Sequence, residues 1–202
     1  MKNLTCALAL TAAILPATSI ADTKNFEGLS AALNLGFFSG GIKLTEGADI
    51  VDGFGGKQTF GAGFELAYGA KMSDTGVVTV GIDADLTQPE VFSATLGGDA
   101  LSAKQKNRFG VFFAPGTVIN KDTLLYGKLS YNSMKGEIST NGASASDTFT
   151  GMGYGLGVRT MISPTAFVKV EVNRVSFGAE TIGDASIKPS GTTGVLGIGT
   201  SF

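Results

Sequence analysis

Histidine and tryptophan are absent from this chain, cysteine occurs once, and neither sign of charge dominates. Without histidine the sequence lacks the usual general base near neutral pH and the commonest zinc ligand, which excludes most catalytic triads and metal sites. Lys and Arg number 15 against 17 Asp and Glu, a formal charge of −2, so no basic excess follows a nucleic-acid backbone. After residue 21 no run approaches the roughly 18 consecutive apolar residues of a membrane-crossing helix. What is abundant is glycine: 30 of 202 residues, far from the one in three of collagen. With 43% hydrophobic and 16% charged residues the chain is not of disordered composition, and its length suits one domain.

Residues 1–21 read as a secretory signal peptide. Lys2 supplies the positive start, Ala7 to Leu15 an apolar stretch too short to span a bilayer, and Ser19-Ile20-Ala21 a small-residue cleavage site. Cys6 precedes the apolar stretch, which excludes a lipoprotein anchor. Cleavage after Ala21 would remove Cys6 and leave residues 22–202 without a thiol. Losing Lys2, with no acid among those residues, moves the formal charge from −2 to −3.

The mature sequence alternates with period two. Phe60, Ala62, Phe64, Leu66, Tyr68, Ala70 and Met72 share one parity, and Gly61, Gly63, Glu65, Ala67, Gly69 and Lys71 the other. Across a turn at residues 73–76 the scheme repeats, with Val78, Val80, Ile82, Ala84 and Leu86 against Thr79, Gly81, Asp83 and Asp85. Further strands are expected at about 26–38, 105–117, 123–134, 148–161, 166–177 and 193–202. The connections alternate between short (73–76, 118–122, 162–165) and long (39–57, 88–104, 135–147, 178–192). This pattern predicts an all-β fold, an eight-stranded antiparallel up-and-down transmembrane β-barrel with short periplasmic turns and long external loops.

In strand 148–161 the less apolar parity reads Gly151, Gly153, Gly155, Gly157 and Arg159. Glycines facing solvent would make a weak strand, whereas inside a narrow barrel they make room for opposing side chains. The apolar faces are therefore assigned to lipid. The interior then collects Glu65, Asp83, Asp85 and Glu171 as acids and Arg108, Lys128, Arg159 and Lys169 as bases, with Asn34 and Asn173 beside them. Charges in so narrow a space are expected to pair. Asp83 and Asp85 read as ion-pair partners rather than as an acid–base or calcium site. The run from Gly53 to Thr59 fails as a phosphate loop, because Val51 stands where its first glycine should be and Gln58 replaces the magnesium-binding hydroxyl.

The sequence ends in an alternating segment with Leu196, Ile198 and a terminal Phe202. This ending resembles the signal by which outer-membrane assembly machinery recognises its barrels, with Thr200 where a bulkier residue is commoner. Residues 151–178, a glycine-rich strand ending in Val158-Arg159, a turn at Pro164 and a strand carrying Glu171 and Asn173, resemble the small eight-stranded outer-membrane barrels. That family includes the OmpA transmembrane domain, OmpX and the opacity-type surface proteins. The resemblance implies a Gram-negative outer-membrane location, contact with lipid and lipopolysaccharide, and insertion by the barrel-assembly machinery. With no tryptophan, an aromatic girdle would rest on residues such as Phe37, Phe60, Tyr68, Tyr131, Phe177 and Phe202.

Enzymes among small outer-membrane barrels rely on a catalytic histidine, so no enzymatic activity, cofactor or metal is expected. Lys43, Lys57, Lys104, Lys135 and Lys188 oppose nine loop carboxylates (Glu46, Asp49, Asp52, Glu90, Asp99, Glu137, Asp147, Glu180 and Asp184), so the external loops are mildly acidic. Stretches such as Ser139 to Ser146 read as flexible loop. The expected role is a monomeric surface protein, structural or adhesive, whose loops could meet a host or surface ligand. One alternative is a narrow solute pore gated by the lumen charges. Another is a secreted lipocalin-like barrel with inverted faces. On the membrane reading, unboiled protein in dodecyl sulfate should migrate differently from boiled protein, whereas a soluble barrel should show no such shift.

Overall fold

Period-two alternation becomes a ring of strands. The structure, a computed structural model, describes residues 22–46, 49–88, 90–96, 99–140, 143–182 and 185–202. The signal segment lies outside the described residues, as do the side chains of 42–57, 89–103, 138, 140–143, 145 and 181–187. The strands are β1 (Gly28–Glu46), β2 (Asp49–Lys71), β3 (Gly76–Asp85), β4 (Glu90–Leu96), β5 (Asp99–Asn120), β6 (Thr123–Thr140), β7 (Ala143–Met161), β8 (Ala166–Phe177), β9 (Glu180–Ile182) and β10 (Ala185–Ser201). Antiparallel neighbours run β1-β2-β3-β5-β6-β7-β8-β10, and β10 returns to β1 from Ser30↔Ser201 to Glu46↔Ala185, closing an eight-stranded barrel. The short strand β4 continues the line of β3 along β5, and β9 continues that of β8 along β10.

The stagger of this ring can be read from its pairs. From Gly36, successive partners Val195, Glu171, Gly157, Tyr126, Gly116 and Val77 lead to Lys71 on β2, ten residues from Gly61, which Gly36 meets directly. Such a shear in eight strands goes with a tilt of roughly 35–45° and an interior only wide enough for side chains to fill.

The apolar parity faces outward. Leu33 (62% exposed), Phe60 (75%), Leu156 (69%) and Ile198 (58%) carry a surface that only lipid would cover. A lipocalin-like apolar lumen is not formed. Phe37 and Phe60 pair at the outer part of this band, ring centroids 4.5 Å apart, and Tyr68, Tyr131 and Phe202 are also exposed. Phe177 does not join them: it shares the inward parity of Glu171 and Asn173 and is buried with Met134 and Phe149 inside the outer mouth.

Two further expectations are corrected. The long external connections are mostly strand, since Glu46 pairs with Asp49, Leu96 with Asp99, Thr140 with Ala143 and Ile182 with Ala185. Their Ser, Gly and Ala content reads as loop, but a neighbouring hairpin arm satisfies the backbone and overrides that weak preference. Phe26, expected at the start of the first strand, instead ends a short 3-10 turn (Thr23–Phe26) capped by Asp22, whose side chain accepts from the Lys24 amide. Gly28, at φ 89°, adopts the left-handed backbone that swings the chain from this turn into β1.

The turn folds into the periplasmic mouth. Phe26 is 1% exposed and packs in one cluster with Phe167, Leu124, Val77 and Met161, while the Asn25 amide donates to the Lys121 carbonyl at 3.0 Å. Deleting so buried an aromatic ring should cost about 3 kcal/mol. Phe26→Ala should therefore lower the urea midpoint of the protein folded in lipid vesicles, and an unchanged midpoint would show that the turn does not seat.

Candidate functional site

Inward positions from four other strands converge on Lys128 of β6. Its ammonium lies 3.1 Å from Glu171 of β8, 3.2 Å from Asp83 of β3 and 3.5 Å from Glu65 of β2. It also sits 4.2 Å from the centroid of the Phe112 ring of β5, a cation–π contact. Lys169 of β8 approaches Glu65 at 2.6 Å and Glu171 at 3.9 Å. Arg108 of β5 meets Asp83 at 2.9 Å and Asp85 at 3.1 Å, and its other terminal nitrogen donates to the Asn132 side-chain oxygen at 2.7 Å. Glu171 accepts from the Tyr126 hydroxyl at 2.9 Å and from the Asn173 amide. Gln105 donates to Asp85.

Seven of the eight candidate lumen residues thus form one connected set: Glu65, Asp83, Asp85, Arg108, Lys128, Lys169 and Glu171. Arg159 stands apart. Its guanidinium donates to Ser201 at 2.6 Å and to Ser30 at 3.5 Å, and lies 3.7 Å from the centroid of the Phe167 ring. It brings the formal charge of the eight to zero without an ion pair to a carboxylate among the described residues. Ser30, Tyr126, Phe112, Gln105 and Asn132 were not singled out by charge patterning. Tyr126 and Asn132 share the parity of Lys128, which is the signal that marks them.

The glycine row on β7 serves this arrangement. A Cβ at Gly157 would run into the Tyr126 ring that donates to Glu171, and one at Gly153 or Gly155 would run into Ser130 or Asn173. The ionic layer divides the lumen. Above it is a cavity of about 90 Å³ lined by Asn34, Asp85, Arg108, Asn132, Asn173 and Thr193 among others, and below it one of about 20 Å³ between Glu65, Tyr126, Arg159 and Glu171. The C-terminal residues lie on the opposite face: Leu196 and Ile198 point to lipid, and the Phe202 amide donates to the Leu29 carbonyl at 2.9 Å.

A closed antiparallel ring, apolar outside and ionic inside, is a membrane-spanning β-barrel. Over residues 5–202 the sequence matches the family described as outer membrane protein beta-barrel domain. The chain belongs to that family, and its place is the outer membrane of a Gram-negative envelope. Two solved structures, the first two below, agree on the fold. OmpT, the outer membrane protease of Escherichia coli, aligns at a TM-score of 0.55 and 10% identity, covering 86% of this chain and 96% of its own. Neisserial surface protein A aligns at 0.50 and 11%, covering 85% and 99%. Ail, the attachment invasion locus protein of Yersinia pestis, gives 0.49 and 20%, covering 87% and 99%. No curated protein matches the sequence.

Removing one member of a buried ionic set strands its partners, at about 3–5 kcal/mol. Lys128→Met should lose that much stability in urea titrations of the vesicle-embedded protein. Lys71→Met, which removes the exposed Lys71–Asp74 pair, should change it by less than about 1 kcal/mol. Equal effects would show that Lys128 is not the centre of the set.

Proposed function

We propose that this protein is a non-enzymatic surface protein of the outer membrane whose lumen is filled and whose role, in adhesion or envelope integrity, is carried by its four external hairpins. The observation that supports this reading is the lumen. Lys128 and its three carboxylates occupy the middle of the barrel, Phe26 and Phe167 the periplasmic end, and Met134, Phe149 and Phe177 the outer end. A rigid scaffold so filled leaves the projecting hairpins as the surface on which recognition is built. The chain holds no histidine, and among the described residues no cluster of three His, Cys, Asp or Glu is placed to hold a metal.

On the same reading residues 1–21 direct export and are cleaved near Ala21, residues 22–202 form the mature barrel domain, and Leu196, Ile198 and Phe202 present the sequence recognised during assembly. The barrel works as a monomer. A narrow pore for small solutes is the second reading, favoured by the cavities above and below the ionic layer. Its gate would be the set around Lys128, while Arg159 would act at the periplasmic end.

Planar-bilayer recording separates the two. The surface-protein reading expects no conductance from the wild type. The pore reading expects discrete openings that increase with Glu171→Ala. Replacing residues 42–54 or 138–145 by short turns should leave the heat-dependent gel shift intact while reducing attachment of expressing cells or the barrier of their envelope to detergent. Loss of neither property would remove the hairpins from the function.

A further inference from the structure

The lumen outside the ionic layer is not filled evenly. On β7 a Cβ at Gly153, Gly155 or Gly157 would strike a side chain that already takes the room. On β1 and β2 the inward glycines are placed differently. Gly36 stands directly opposite Gly61, and Gly63 opposite Asn34. The first atom a Cβ at Gly36 would meet is the Thr193 methyl, at 3.3 Å. This bare stretch of wall borders the cavity of about 90 Å³, with Val175 and Val195 elsewhere on its lining and Phe38 and Phe177 toward the outer mouth.

A bulge shapes the floor. The register of β5 against β6 shifts between Lys106 and Phe109, with Asn107 at φ 47°. The extra residue sends Arg108 and Gln105 inward to Asp85 and leaves Lys104 and Lys106 on the outside. The charged residues that line the cavity are then Asp83, Asp85, Arg108 and Lys128, two of each sign. Arg108 donates to Asp85 and Asn132, Asn132 to Ser130, Gln105 to Asp85 and Asn173 to Glu171. Acceptors are left over. The Asn34 side-chain oxygen is buried and accepts no hydrogen bond among the described residues. The buried Asp83 Oδ1 faces the Arg108 charge at 2.9 Å but likewise accepts no hydrogen bond.

A buried acceptor without a donor is costly, so what this cavity lacks is a donor. It does not lack a charge, because its floor is balanced and a further ion would be desolvated there without a counter-ion. We propose that the cavity binds a small uncharged alcohol, whose hydroxyl donates to the Asn34 oxygen and whose hydrocarbon end lies between the Gly36–Gly61 wall and Val175 and Val195. The volume of about 90 Å³ is smaller than the roughly 150 Å³ that holds benzene in an apolar protein cavity, which limits the hydrocarbon end to about four carbons. The ionic layer closes the cavity below, so the ligand enters and leaves by the outer mouth and is held rather than passed through. The site is independent of whatever the hairpins bind.

The test uses the full mature barrel, isotope-labelled, in zwitterionic detergent. The backbone amides of Gly36, Gly61 and Val195 are followed by NMR as n-butanol, its isomer diethyl ether or butylammonium is added. Leu29 and Leu125, exposed on the lipid face near the periplasmic end, report simple partition into the micelle. n-Butanol should shift the three cavity amides saturably, while Leu29 and Leu125 drift in proportion to its concentration. Diethyl ether, with the same atoms but no donor, should bind about tenfold more weakly, and butylammonium should not saturate. Asn34→Leu, which removes the acceptor at similar volume, should bring n-butanol down to the affinity of the ether. Val175→Phe, which fills the cavity, should abolish the saturable shift. The heat-dependent gel shift reports whether each variant folds, and the comparison of alcohol with ether needs the wild type alone. No saturable shift with n-butanol, equal affinity for alcohol and ether, saturation by butylammonium at the same concentration, or a folded Val175→Phe barrel with the wild-type response would overturn the proposal.

Discussion

A backbone that crosses hydrocarbon meets no water, so each amide and carbonyl must find its partner within the protein. In an all-strand chain that requirement is met only if the last strand pairs with the first. Here β10 pairs with β1 along its whole length, and the Phe202 amide extends the contact to Leu29. Closing the sheet with eight strands and this stagger sets the radius, and the radius sets what can stand inside. The glycines opposite Tyr126 and Asn173, the alanines at Ala32, Ala67 and Ala114, and the shared ion pairs are consequences of one narrow interior.

Ionic groups in such a space hold their position by mutual contact. Lys128 is shared by carboxylates from three strands, and Arg108 by two from one strand and its outer end. The attraction within buried pairs of this kind is largely offset by the cost of desolvating them, so what they oppose most strongly is the loss of a single partner. Apolar caps at both ends complete the filling. A barrel built in this way is an anchor, and what distinguishes it from others of its fold lies in the hairpins.

Most of the fold was legible because its physics is local in sequence. Alternation assigned strand faces, and the Gly151–Gly157 row announced a crowded lumen. The glycine parity decided which face met lipid. Where residues departed from expectation, longer-range pairing was responsible. The hairpin arms of β1 and β2, or of β6 and β7, are strand because each satisfies the other's backbone, although their composition favours turns. Phe177 followed the parity of Glu171 more faithfully than its aromatic character suggested. Arg159 had the right parity for the ionic set but stands at the periplasmic end, where serines and aromatic rings surround it. The seating of Phe26 depends on a left-handed Gly28, and the outward turn of Lys104 and Lys106 on a bulge at Asn107. Neither carries a strong mark in one sequence.

The position of Arg159 has a bearing on how the two ends of the barrel are held together. Ser30 lies near the start of β1 and Ser201 at the end of β10, so their pairing closes the longest loop in the molecule and carries the largest loss of chain entropy. The Arg159 guanidinium, projecting from β7, donates to both serine hydroxyls. The seam that is entropically most costly to close is thereby clasped from inside by a strand that belongs to neither of its edges.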